Sequence, residues 1–167
     1  GAYGLCETSV KSARISARTL ALGNGTTKGV DADLADRVTK ENLDEAAAFA
    51  KAFAGKMNAV VAITGAIDIV ADAEKAYCIY NGRPEMSSIT GTGCQLSALT
   101  AAFVTANQEQ PLEAAAAAVC AMGLAGETAY ARLGELDGNA TYRNYIIDAI
   151  YRMNGEALEA GAKFEVR

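Results

Sequence analysis

Histidine is absent from all 167 residues of the chain. That absence removes Ser–His and Cys–His nucleophilic catalysis and histidine-ligated metals. The four cysteines, Cys6, Cys78, Cys94 and Cys120, lie far apart, with no CxxC pair and no zinc-ligand spacing. A reducing cytoplasm is the compartment expected from such usage. Basic charge is short as well. The net charge is −5 and the pI is near 4.8, so generic nucleic-acid binding has no basic stripe to rest on. An anionic ligand would have to be held by local amides or single cations. Apolar runs are read as too short or too mixed to span a membrane: residues 114–124 are followed by Glu127. The N-terminus lacks the basic start and apolar run of a signal peptide.

Apolar residues make up 51% of the chain, enough for one domain with a real core. Much of that share is alanine, which lets helices pack closely. Residues 12–22 read as a short helix with only basic charges, ended by Gly23-Asn24-Gly25. A connecting stretch follows, containing Lys28-Gly29-Val30-Asp31. Asn42 is placed to cap a helix, with Glu45 completing a capping box and Gly55 ending it. Residues 59–63 form a continuous apolar strand of the kind buried on both sides of a sheet, broken by Thr64-Gly65. Residues 67–71 and 76–80 are two more short strands, and Asn81-Gly82 reads as a hairpin turn leading to residues 83–88. Helices are expected over residues 95–106 and from Pro111 to about Tyr130. Tyr142, Tyr145, Ile146, Ala149, Ile150 and Met153 then make a helical stripe suited to packing. The class is α/β in a single domain over residues 1–167, with too few strands for a self-sufficient doubly wound sheet.

The organising stretch is Ile89-Thr90-Gly91-Thr92-Gly93-Cys94-Gln95, a glycine turn running into a helix. Gly91 and Gly93 permit backbone angles that a side chain hinders. The amides of a helix start attract anions through free N–H groups and the dipole. Cys94 places a thiol there. With no histidine or neighbouring cysteine to support protease or redox chemistry, a proton acceptor beside an anion hole fits phosphoryl transfer to an alcohol. On the short pattern alone, an ordinary loop-to-helix junction accounts for the stretch equally well.

Other candidates are weaker. Thr64 ends a buried strand, where ligands gather in α/β sheets. Asp68 and Asp72 would suit magnesium as a pair, but support of a surface or hairpin turn is the favoured reading. Lys28 and Asp31 read as a solvated loop, Cys78 and Cys120 as small core residues, and Asn139 as turn chemistry.

Val60-Val61-Ala62-Ile63-Thr64-Gly65-Ala66-Ile67-Asp68, then Asn81-Gly82, then Thr90-Gly91-Thr92-Gly93-Cys94 together resemble hydroxyethylthiazole kinase. Lys28-Gly29-Val30-Asp31 and the closing residues 156–167 look like it too. The resemblance covers residues 27–167, with 1–26 poorly matched. It implies a ribokinase-like three-layer fold and the phosphorylation of 4-methyl-5-(2-hydroxyethyl)thiazole by ATP with magnesium, in thiamine salvage. It also implies a homotrimer with sites at subunit interfaces, and no nucleic-acid or membrane partner. By resemblance, Cys94 takes the place of the aspartate in the GxGD of related ribokinase-fold kinases, beside the substrate hydroxyl. Thr64 matches an ATP-contacting threonine and Gly91 a glycine at the thiazole site. Gly91, Thr92, Gly93 and Cys94 form the anion hole.

This chain departs from the family in its first part. It looks like the C-terminal portion, without the family's N-terminal strands and thiazole-contacting methionine segment. The family's Arg-Gly-Asn-x-x-Glu stretch is also missing, and no acidic residue stands between Glu7 and Asp31. Metal ligands are therefore unassigned. A non-catalytic kinase-derived fragment or oligomerisation subunit that keeps the anion-binding turn is the alternative. Another ribokinase-fold enzyme is a third, against which the cysteine of GTGC weighs.

Overall fold

The computed structural model describes residues 13–15 and 38–167. The readings of Cys6, Lys28, Asp31 and Gly23-Asn24-Gly25 lie outside the described residues. Among the described residues, a mixed five-stranded sheet forms in the order β1-β2-β3-β4-β5. These are Ala13–Ile15, Val60–Ile63, Asp68–Ala71, Ala76–Ile79 and Phe164–Val166. β1 runs parallel to β2, pairing Ala13 with Val60 and Ile15 with Ala62. All later neighbours are antiparallel. The helix expected over residues 12–22 is thus corrected in its described part. Pairing with a buried strand overrides the local pattern there.

The period of two in the strands sorts their side chains between two cores. Val60, Ala62, Val70 and Ile79 join the core under α2 (Thr92–Ala106) and α3 (Pro111–Tyr130). Val61, Ile63, Ile69 and Cys78 join the core under α1 (Leu43–Met57). The result is three layers, helix–sheet–helices, with α4 (Asn139–Arg152) and α5 (Gly155–Gly161) packed on α3. β2 is buried along its whole length, as the apolar run requires.

Several local expectations change. Asn42 does precede α1, but its side chain makes no cap bond to the helix. Its Oδ1 instead accepts from the Thr39 N–H at 2.8 Å. α1 runs past Gly55 and ends at Asn58, whose φ of 46° and N–H bonds to Ala54 and Gly55 carbonyls form a left-handed cap. Asn81-Gly82 turns no hairpin, because residues 84–88 form a 3₁₀ helix, Pro84–Ser88, rather than a strand. The hairpin lies one step earlier. Asp72 Oδ1 accepts from the N–H groups of Glu74 and Lys75 at 2.8 and 2.7 Å, closing β3 onto β4. That is the supporting role expected of Asp72.

The packing stripe on α4 is as expected, with Tyr142, Ile146 and Ala149 buried. Asn139 does more than turn the chain. It starts α4 and exchanges two hydrogen bonds with Ser88 of the 3₁₀ helix. α3 is long and apolar enough to cross a membrane by length and composition, against the expectation, but 72% of its most apolar window is buried inside the fold. Its alanines let it lie close to the sheet, α2 and α4.

Candidate active site

The site begins where β2 ends. Thr64, Gly65 and Ala66 are exposed beyond Ile63, and Ile67, buried, returns the chain into β3. Thr64 and Asp68 continue the alternation of the face that carries Val60, Ala62 and Val70, and so lie on the α2–α3 side. Asn81 follows Ile79 on the same face of β4.

Across from this strand end stands the start of α2. Gly91 precedes the helix with φ of 96°, a left-handed conformation that disfavours any side chain. Thr92, Gly93 and Cys94 are the first three helical residues, and the first amide to find a carbonyl one turn back is that of Gln95, at 3.0 Å from Gly91. Helix geometry leaves the preceding N–H groups without such partners. The helix starts three residues earlier than expected. Gly93 is therefore an ordinary helical residue, and only Gly91 of the two needs glycine for its φ. What Gly93 supplies is room: among the described residues, no atom outside its own stretch of helix lies within 4 Å of where its Cβ would be.

Thr64, Thr92 and Gly93 meet in one open cleft of about 540 Å³. Leu96, Val119 and Met122 give it an apolar wall, and Asp68, Asn81, Gly82 and Arg83 give it polar groups. Cys94 is exposed at the helix start. Gly91 and Cys94 adjoin the cleft through Thr92 and Gly93 but do not line it. The buried Cys78 and Cys120 are core residues, as expected, and burial pushes the Cys120 thiol up to about 11.

Among the described residues, two charged side chains line the cleft. Asp68 Oδ1 accepts from the Gly65 N–H at 2.8 Å. Burial pushes its carboxyl up to about 7, against the pull of that amide. Arg83 is held by two 3.0 Å bonds to Glu85 and lies 3.9 Å over the Tyr130 ring. Its guanidinium lowers the Glu85 carboxyl to about 2.

Sequence reasoning missed Glu127. Its Oε1 accepts from the Gly82 N–H at 2.9 Å and from Asn81 Nδ2 at 3.2 Å, while Oε2 meets Lys163 Nζ at 2.6 Å. Burial opposes its charge, but the bonds from Lys163, Gly82 and Asn81 outweigh it and hold the carboxyl below the usual range. Asn81 also donates to the Gly161 carbonyl and accepts from the Lys163 N–H. Only the lone Glu127 that interrupts the alanine-rich run hinted at this role.

The described residues do not by themselves build a magnesium site. Asp68 is, among the described residues, the one carboxylate in the cleft lining, and its Oδ1 is committed to Gly65. Among the described residues, no group of three Cys, Asp or Glu side chains is placed to hold a metal.

Comparison with known proteins bears on this geometry. The model of the hydroxyethylthiazole kinase family matches residues 12–156. The chain is 57% identical over 148 residues to a hydroxyethylthiazole kinase of Clostridium acetobutylicum, covering 89% of this chain and 54% of that protein. A hydroxyethylthiazole kinase of Zea mays is 39% identical over 118 residues, 71% of this chain and 41% of that one. A solved hydroxyethylthiazole kinase structure from Pyrococcus horikoshii superposes with a TM-score of 0.67 at 33% identity, covering 76% of this chain and 48% of its own. The chain thus spans about half the length of the curated relatives it matches.

Proposed function

Because the chain belongs to the hydroxyethylthiazole kinase family, we propose that its cleft takes part in transferring a phosphoryl group from ATP to the hydroxyethyl group of 4-methyl-5-(2-hydroxyethyl)thiazole, a step of thiamine salvage. The observation that carries this reading is the meeting of Thr64 with Thr92 and Gly93 in one cleft. A strand-end threonine and the first residues of a helix line the same space, and the leading amides of a helix have no bond within it. Phosphoryl transfer depends on positioning and charge stabilisation more than on covalent help from the protein, and these groups supply both.

In this account Thr64 donates to a nucleotide phosphate. The amides of Gly91, Thr92, Gly93 and Cys94 stabilise the charge that builds on the transferring group, and Gly91 borders the thiazole. The substrate oxygen attacks the γ-phosphorus, the bond from that phosphorus to the ADP oxygen breaks, and the hydroxyl proton passes to the Cys94 thiolate, leaving the thiol. Magnesium is the expected companion of the nucleotide. The described residues offer it one carboxylate and no cluster, so every step is assigned to the protein's own groups. A homotrimer with sites at subunit interfaces belongs to the same proposal, and light scattering reads it directly.

The test is incubation of the protein with ATP, magnesium and the thiazole alcohol, with the phosphorylated thiazole measured by mass spectrometry. Product formation that needs both substrates supports the reading. Its absence, with the protein folded, contradicts an active kinase and points to a non-catalytic role.

A further inference from the structure

Thr64 is exposed and sits on a four-residue connection between two strands, so something must hold its position if it is to meet a phosphate. β2 and β3 are last paired at Ile63 and Ile69. From there to Asp68 the chain has left the β2–β3 ladder. Asp68 itself stays anchored through its backbone pairing with Ile79 of β4. Its side chain reaches back across the turn, and Oδ1 accepts from the Gly65 N–H at 2.8 Å. Ile67, buried between them, fixes the other side of the turn.

A carboxylate on the wall of a cleft meant for a polyphosphate is unfavourable as a charge. It repels the ligand, and burial penalises it further. The residue makes sense as an acceptor instead. A turn of this kind is closed by a side-chain oxygen that stands in for a backbone carbonyl. Resting on the nucleotide-binding reading of the cleft, we infer that Asp68 is a positioning residue: its bond to the Gly65 amide sets the turn that presents Thr64 to the nucleotide phosphates opposite Thr92 and Gly93. The amide oxygen of an asparagine would serve the same bond without the charge. An alanine would not.

The experiment is calorimetric titration of a non-hydrolysable ATP analogue and, separately, of the thiazole alcohol into wild type, Asp68→Ala and Asp68→Asn. Asp68→Ala is expected to weaken analogue binding by about fivefold to tenfold, the scale of one lost hydrogen bond. Its thiazole affinity is expected to stay within about twofold, because binding groups remote from a local change act independently. Asp68→Asn is expected to bind the analogue as well as wild type or better. Unchanged analogue binding in Asp68→Ala overturns the inference. So does equal loss in both variants, which would assign the effect to charge, or equal loss of both ligands, which would assign it to general structure. If Asp68→Ala does not fold, Gly65→Pro, which removes the donor of the same bond, takes its place with the same expected outcome. Wild type that binds no analogue would overturn the nucleotide reading itself, and this inference with it.

Discussion

Gly123 of α3 lies against the backbone of Asn81 so closely that a Cβ added to it would stand 2.6 Å from the Asn81 carbonyl carbon and oxygen. This contact sets the distance between the main helix and the end of β4, where the chain enters the cleft. Backbone cannot step aside as a flexible side chain can. Gly123→Ala is therefore expected to cost about 1–3 kcal/mol, as overpacking does. In a chain of this size that lowers Tm by about 2–4 °C per kcal/mol. Differential scanning calorimetry checks it, and an unchanged Tm would show that α3 has slack at this point.

Gly126, one turn further along, presents the contrasting case. A Cβ there would fall 2.1 Å from Met86 Sδ, but methionine is flexible and repacks. Gly126→Ala is expected to stay within about 1 kcal/mol of wild type in stability while displacing Met86 in the cleft. The expected signature is a raised KM with little change in kcat. A change in kcat alone would count against a role for Met86 in shaping the cleft.

Glu127 ties Gly82, Asn81 and Lys163 together. Its carboxyl is held below the usual range in the folded chain, so its contribution to stability is fully present above the unfolded value of about 4.3. That contribution is lost as pH falls through the lowered folded value. Glu127→Gln keeps an acceptor but not the charge for Lys163. The Tm difference between wild type and Glu127→Gln is expected to be large near neutral pH and to shrink on acidification. A difference independent of pH would contradict the ionised pairing.

Asp68 works in the opposite sense. Its folded pKa is raised to about 7, above the unfolded value of about 3.9, so the folded chain holds the proton more tightly. Stability is expected to fall as pH rises between those two values, and to level off above the folded one. Cys120 of α3 feels the Asp68 charge, and Arg83 shares the cleft lining. Asp68→Asn has no such penalty. Its Tm advantage over wild type is expected to grow from about pH 4 to about pH 7 and then hold constant. A flat difference would show that the carboxyl is not held protonated in the folded state.

Much of this molecule was legible in its sequence because strong local signals and tertiary demands agree. The apolar run of β2, Pro111 at the start of α3 and the α4 stripe fall where periodicity puts them. The glycine turn before α2 is there too, with Gly91 in the conformation that its residue type permits. Two of the misses share a cause. Asn81-Gly82 has the dipeptide of a hairpin turn, yet the Asn81 side chain is spent on Gly161, Lys163 and Glu127, residues distant in sequence. Ala13–Ile15 became a strand because β2 offered a parallel edge. The Asp68 bond was hidden for a different reason: a lone aspartate at a strand end says nothing about which amide it will meet.

In the proposed reaction the start of α2 takes part in phosphoryl transfer and Cys94 accepts the substrate proton. The most direct measurement is the steady-state rate of thiazole phosphorylation by wild type and Cys94→Ala, together with ATP-analogue affinity for both. Removing a positioned proton acceptor is expected to lower kcat by about 100-fold or more, with analogue affinity unchanged. Full turnover in Cys94→Ala would show that Cys94 does not take the substrate proton.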